Sequence, residues 1–169
     1  MQETLRLLIV LSRRLRGSGK MNESEPVIRS ADLSDIKRIM ALEEGSIIHP
    51  WTSGDIETLI TDCNKECLVA DLAGEVVGYV GAETVLDECN IGNIVVDKDR
   101  RGRGIATILM DNLLNDLKNR GIKKIFLEVE SNNAPAMALY GKTGFVRYGQ
   151  RRDYYGQGKD AVLMSKDLC

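Results

Sequence analysis

The chain has 169 residues, enough for one domain with a substantial core. It is 43% hydrophobic and 28% charged with 3 prolines, which excludes collagen-like, coiled-coil and wholly disordered classes. The net charge of −2 hides an asymmetry. Residues 1–20 carry Arg6, Arg13, Arg14, Arg16 and Lys20 against Glu3, a local +4, so the remainder sums to −6. An acidic body lacks the clustered Lys and Arg that phosphate contacts need, so nucleic acid is not expected as a partner. It suits a cationic ligand such as an amine.

The apolar run Leu5–Leu11 is too short to span a bilayer, which takes about 20 residues. Most of its positive charge follows the run, the reverse of a signal peptide. Residues 1–25 therefore read as a basic extension, helical or disordered, ahead of a domain over 26–169. Gly17-Ser18-Gly19-Lys20 imitates the end of a phosphate-binding P-loop, but Arg14 and Met21 replace the required Gly and hydroxyl. Cys63, Cys67, Cys89 and Cys169 are the cysteines and His49 is the only histidine. A structural zinc takes about four ligands, so neither a metal nor disulfides are expected, and the thiols read as reduced ones of a cytoplasmic protein.

Val27-Ile28-Arg29 reads as a strand. Asp32 fits a cap for a helix carrying Ile36, Ile39, Met40 and Leu42 and ending near Gly45. A loop over Ser46–Thr52 follows, then a helix capped by Ser53 and running to Asp62 or Cys63. Glu66–Leu72 and Glu75–Val85 form a hairpin about Ala73-Gly74, and Glu88–Val96 is the next strand. Ile105, Ile108, Leu109, Leu113 and Leu117 repeat on one face of a helix from Gly104 to Arg120, closed by Gly121. Lys124–Glu130 is a strand with Ile125, Leu127 and Val129 on one side and Phe126, Glu128 and Glu130 on the other. Asn133 caps the next helix, with Pro135 in its first turn and Gly144 at its end. Phe145–Tyr155 and Ala161–Lys166 are the last strands. The order β-α-α-β-β-β-α-β-α-β-β is an α/β fold: a mixed, mostly antiparallel sheet with helices on both faces.

The loop Asp99–Ala106 joins a buried strand to the long helix. Unpaired N–H groups and a positive dipole end, glycines permitting close approach, and arginines make an anion site suited to a pyrophosphate. A dinucleotide fingerprint fails because Thr107 stands at its third glycine.

Arg101-x-x-Gly104-x-Ala106 resembles the acetyl-CoA signature of the GNAT acetyltransferases, and the element order is similar to that fold from about Val27 to Leu168. Leu127-Glu128-Val129, Ser131–Ala136, Ala138-Leu139-Tyr140, Gly144-Phe145, Arg151–Tyr155, Asp160-Ala161 and Pro50-Trp51 resemble the RimI-type and archaeal Ard-type protein N-terminal acetyltransferases. The resemblance implies that Ile94, Val95 and Val96 bond the acetyl and pantetheine amides through their backbone. It implies that Arg101, Gly102, Arg103, Gly104, Ile105, Ala106 and Thr107 hold the pyrophosphate, and that Asn133 and Tyr140 touch the cofactor arm. Glu128 then matches a catalytic base and Tyr140 a general acid. Glu43, Glu44 and His49 are alternative bases. Ile48, Trp51, Tyr154 and Tyr155 would flank the substrate, the tyrosines on a strand hairpin.

A protonated amine cannot attack a thioester, so a base is required. An α-amine, with a pKa of about 7.7–8.0, is about 10–20% neutral at pH 7, whereas lysine at about 10.4 costs about 3.5 kcal/mol more to deprotonate. The expectation is therefore acetyl transfer from acetyl-CoA, with coenzyme A as product, to protein or peptide N-termini, ribosomal or nascent proteins among them. The alternative is a lysine side chain or a small amine. A non-enzymatic acyl-CoA-binding module is a third reading.

Overall fold

The computed structural model describes residues 25–47 and 50–168. The basic extension, the P-loop imitation, Ile48 and His49 lie outside the described residues. The elements are β1 Val27–Ser30, α1 Ile36–Glu43, α2 Ser53–Thr61, β2 Lys65–Leu72, β3 Glu75–Val85, β4 Glu88–Val96, α3 Ile105–Asn119, β5 Lys124–Glu130, α4 Ala134–Lys142, β6 Val146–Arg151 and β7 Ala161–Asp167. They follow the expected order and form one 7-stranded sheet ordered β1-β2-β3-β4-β5-β7-β6. Only β4 and β5 pair in parallel; every other neighbour is antiparallel.

Strand alternation sends side chains to two cores. Leu68 and Ala70 of β2 join Ile105, Leu109, Leu113 and Leu117 of α3, with Tyr140 of α4 and the adjoining Phe145, on one face. Cys67 and Val69 join Ile39 and Leu42 of α1 with Ile56 and Leu59 of α2 on the other. Burial pushes the Cys67 and Cys89 thiols up to about 12, so both stay neutral. In β5, Ile125, Leu127 and Val129 are buried against α3, while Phe126, Glu128 and Glu130 are half-buried on the α1/α2 side.

Several boundaries move by one residue, and three differences have a clear cause. A 3₁₀ turn, Leu33–Asp35, precedes α1. Thr52, not Ser53, caps α2, because Thr52 and Asp55 form a reciprocal capping box one residue earlier. The strand expected to run to Tyr155 stops at Arg151. Beyond it Asp153 takes φ +53, its N–H donates to Asp160 at 2.9 Å and its carboxylate accepts the Gly158 N–H at 2.6 Å. A loop that closes on its own side chains cannot continue a ladder.

Two ion pairs anchor the start of α1. Asp35, buried before its first turn, accepts two bonds from the Arg29 guanidinium at 2.7 and 3.0 Å and the Asp32 N–H at 2.9 Å. Arg38 donates to the Val76 carbonyl at 2.9 Å and pairs with Asp97 at the end of β4. The Arg29 guanidinium holds the Asp35 carboxyl below its ordinary 3.8. That depression stabilises the fold above the ordinary value, and the contribution is lost as pH falls through the lower folded value. Asp35→Asn is expected to cost about 1.5–3 kcal/mol at pH 7, the range for hydrogen bonds to charged groups. Urea melts of both chains check this: the gap between them should shrink when the pH is taken below 3.8.

Candidate active site

The site begins where the parallel ladder ends. β4 and β5 pair from Glu88↔Lys124 to Ile91↔Leu127. Beyond that point β4 continues to Val96 against β3, and β5 continues to Glu130 against β7. The edge of Ile94, Val95 and Val96 that faces β5 thus carries main-chain groups outside the β4–β5 ladder. The divergence coincides with a break in register on β4. Val80 pairs with Ile94 but Ala82 with Ile91, so Gly92 and Asn93 stand opposite Gly81 as a β-bulge.

The segment after β4 forms a short 3₁₀ turn, Lys98–Arg100, and then reaches α3. Gly102 and Gly104 take φ +76 and +82, and a Cβ at either would have nothing within 4 Å. Gly104 is the N-cap, so no side chain closes the first turn of α3. The N–H groups of that turn have no intrahelical acceptor, and this open cradle fits a pyrophosphate. The Arg101 guanidinium bonds within the chain. Its Nε donates to the Val96 carbonyl at 3.0 Å and its Nη2 to Ser46 Oγ at 3.0 Å. It braces the end of β4 against the α1–α2 loop.

Glu128 is the first β5 residue past the parallel ladder. It pairs with Arg151 at 2.7 Å, and the Arg151 guanidinium stacks over Tyr154 at 5.3 Å. Tyr154 and Tyr155 meet edge to face at 5.0 Å. Burial first, then the charge of Glu128, raises the Tyr155 phenol. Tyr140, 6% exposed on α4, is pushed up to about 12 by burial, with a smaller effect of Tyr155. Glu128, Tyr140 and Tyr155 therefore share one electrostatic neighbourhood. Asn133 caps α4 by accepting the Ala136 N–H at 3.2 Å, with its side chain at the surface.

Of the alternative bases, Glu44 is exposed and Glu43 is fully buried. Trp51 is half-buried; its ring lies where a Cβ on Gly92 would approach to 3.0 Å and one on Gly81 to 3.4 Å. Arg151, Asn93 and Tyr79 were not singled out from the sequence. Arg151 stands in the Arg-Arg-Asp-Tyr-Tyr run and offered a signal; Asn93 and Tyr79 acquire meaning only through the bulge.

A strand splayed from its parallel neighbour beside a glycine cradle at a helix start is a frame open to an extended ligand with a phosphate end. Residues 34–145 match the Acetyltransferase (GNAT) family, and the chain belongs to that family. Enzymes of this family take their acetyl group from acetyl-CoA. The chain is 30% identical over 143 residues to the [ribosomal protein bS18]-alanine N-acetyltransferase of Escherichia coli K12, covering 82% of this chain and 95% of that protein. It superposes on the crystal structure of the ribosomal-protein-S18-alanine N-acetyltransferase from Escherichia coli with a TM-score of 0.78 at 27% identity, over 84% of this chain and 93% of that one. Ard1 from Thermoplasma volcanium matches with a TM-score of 0.80 at 26% identity, over 86% and 99% of the two chains.

Gly104→Ala separates the cradle from the fold. The new Cβ meets no neighbour, so the stability cost should stay at the left-handed backbone penalty of about 1–2 kcal/mol. Coenzyme A affinity should fall by about tenfold or more, that is about 1.4 kcal/mol or more. Calorimetric titration with coenzyme A beside urea melts reads both.

Proposed function

We propose that this chain transfers the acetyl group of acetyl-CoA to the N-terminal α-amine of proteins or peptides, ribosomal proteins among them. The observation that carries this reading is the place of Glu128, the first β5 residue past the parallel ladder, paired with the exposed Arg151 at 2.7 Å. The kinship with alanine N-acetyltransferases of ribosomal proteins supports it. Residues 26–169 would form the catalytic domain, with 1–25 as an extension. Among the described residues no helix is long and apolar enough to cross a membrane, and the cytoplasm is where such a chain meets nascent substrates.

Acetyl-CoA supplies a thioester, whose pyrophosphate fits the Gly102–Thr107 cradle. Its amides fit the open edge of Ile94, Val95 and Val96, and the Val96 N–H would polarise the thioester carbonyl. Asn133 and Tyr140 line the path of the arm. Glu128 takes the proton of the α-ammonium, directly or through one water. The freed nitrogen bonds to the acetyl carbon while the carbon–sulfur bond breaks; Tyr140 gives its proton to the departing sulfur, and the second proton that the nitrogen loses on becoming an amide restores the Tyr140 phenol, so the net proton released is the one on Glu128. Arg151 is 54% exposed, so its pair with Glu128 sits at the solvent edge and opens at a cost of about 1 kcal/mol or less. Ile48, Trp51, Tyr154 and Tyr155 would hold the peptide end.

Intact-mass measurement on short peptides tests the acceptor. Free N-termini should gain one acetyl group and lysine peptides blocked at the N-terminus should not; equal reaction of blocked peptides would sink the reading. Glu128→Gln should lower kcat by about 10²- to 10⁴-fold, the range for a positioned base, with acetyl-CoA binding little changed. Because burial holds Tyr140 protonated up to about 12, its ionisation should impose no loss of rate below about pH 10. A pH–rate profile of the wild type checks this, and in Tyr140→Phe the rate should be low throughout.

A further inference from the structure

Glu43 ends α1 and is fully buried, with 0% exposure. A carboxylate taken out of water is costly unless donors replace its hydration. Here three donors arrive from three segments. Oε1 accepts the Tyr79 hydroxyl from β3 and Asn93 Nδ2 from the β4 bulge at 2.8 Å. Oε2 accepts the backbone N–H of Trp51 at 2.5 Å. The fit depends on the bulge, because the extra residue opposite Gly81 turns Asn93 toward α1. It depends also on Gly81 and Gly92, whose missing side chains seat the Trp51 ring.

A carboxylate has about four acceptor positions, and three on Glu43 are filled with no surface open to solvent. It cannot meet an incoming amine, so it is excluded as the base. What it does is join the substrate loop to the strand that diverges from β5. We infer that Glu43 is a positioning residue that locks the loop at Trp51 onto the β4 bulge and so presets the peptide end of the site. This rests on the reading of the chain as an N-terminal acetyltransferase, since only a peptide acceptor makes that loop a substrate wall. Peptide affinity should depend on Glu43, and acetyl-CoA affinity should not.

Trp51 is the only tryptophan in the chain, so its fluorescence reports the lock without any turnover. Glu43→Gln keeps the shape but puts an amide NH₂ where one oxygen accepted, so a donor faces a donor. The full-length Glu43→Gln chain should show red-shifted Trp51 emission and easier acrylamide quenching. Its KM for a free-amine peptide should rise about tenfold, equivalent to about 1.4 kcal/mol, with KM for acetyl-CoA unchanged and kcat reduced far less than in Glu128→Gln. Unchanged quenching together with an unchanged peptide KM would overturn the inference. If Glu43→Gln fails to fold, Asn93→Ala removes one donor and should shift emission and peptide KM in the same direction; no shift there overturns the inference too. Failure of the underlying function looks different: the wild type would acetylate no free-amine peptide. Quenching of the Glu43 variant then decides the lock alone, a rise supporting it and no change refuting it.

Discussion

The divergence of β4 from β5 is the constraint on which the rest of this structure depends. A parallel ladder of four residue pairs that stops at Ile91 and Leu127 leaves two strand edges facing each other without mutual hydrogen bonds. Buried main-chain groups left unpaired cost as much as a lost hydrogen bond, so such a gap is tolerable only where it meets water or a ligand. Its walls do not collapse together because each is held from behind. β4 is pinned by β3 up to Val96, and all of β5 is pinned by β7. The opening is thereby preorganised, and a ligand that fills it need not order it first.

Exposure then sorts the acidic groups by what they can do. Glu128 stands half-buried at the gap with an exposed arginine as its partner. Glu43 lies a short way off, wholly enclosed and saturated with donors, and can only hold structure. Asp97 is held below the ordinary carboxylate range, first by the Asp99 N–H and then by Arg38, and serves to tie α1 to the end of β4. Three carboxylates around one strand thus differ in setting: one at the solvent edge, one enclosed among donors and one tied to an arginine.

Much of this was legible in the sequence, for identifiable reasons. β3, β4 and β5 carry their own periodicity and turn residues, and their expected bounds are those observed. Asn133 and Gly144 mark the two ends of α4 through local chemistry alone. Less was legible wherever a side chain works across the chain. The loop at Asp153 defeated the strand reading because its partners, Gly158 and Asp160, close it through side-chain bonds that no alternation pattern encodes. Arg101 reads as a pyrophosphate ligand from the glycines beside it, but its bonds to Val96 and Ser46 are fixed by tertiary placement that no local pattern encodes. Glu43 reads as an alternative base from its place before the Pro50-Trp51 loop, and nothing local reveals that Tyr79 and Asn93 converge on it.

The two ends of the site are built from different material. At the donor end the contacts offered are main-chain: the Ile94–Val96 edge and the first N–H groups of α3, reached past glycines that add no side chain. Such contacts depend on backbone shape and tolerate side-chain change. At the acceptor end they are side-chain contacts: Trp51 on its glycine seat, and Arg151, Tyr154 and Tyr155 around Glu128. A backbone cradle can stay constant while these side chains vary, so under the proposed function donor recognition and acceptor choice would be free to change independently. The bulge at Gly92 and Asn93 is where the two meet, because the same register break that frees β4 from β5 also aims Asn93 at the buried carboxylate that holds the loop. A change there would be felt at both ends, which the flanking side chains alone would not transmit.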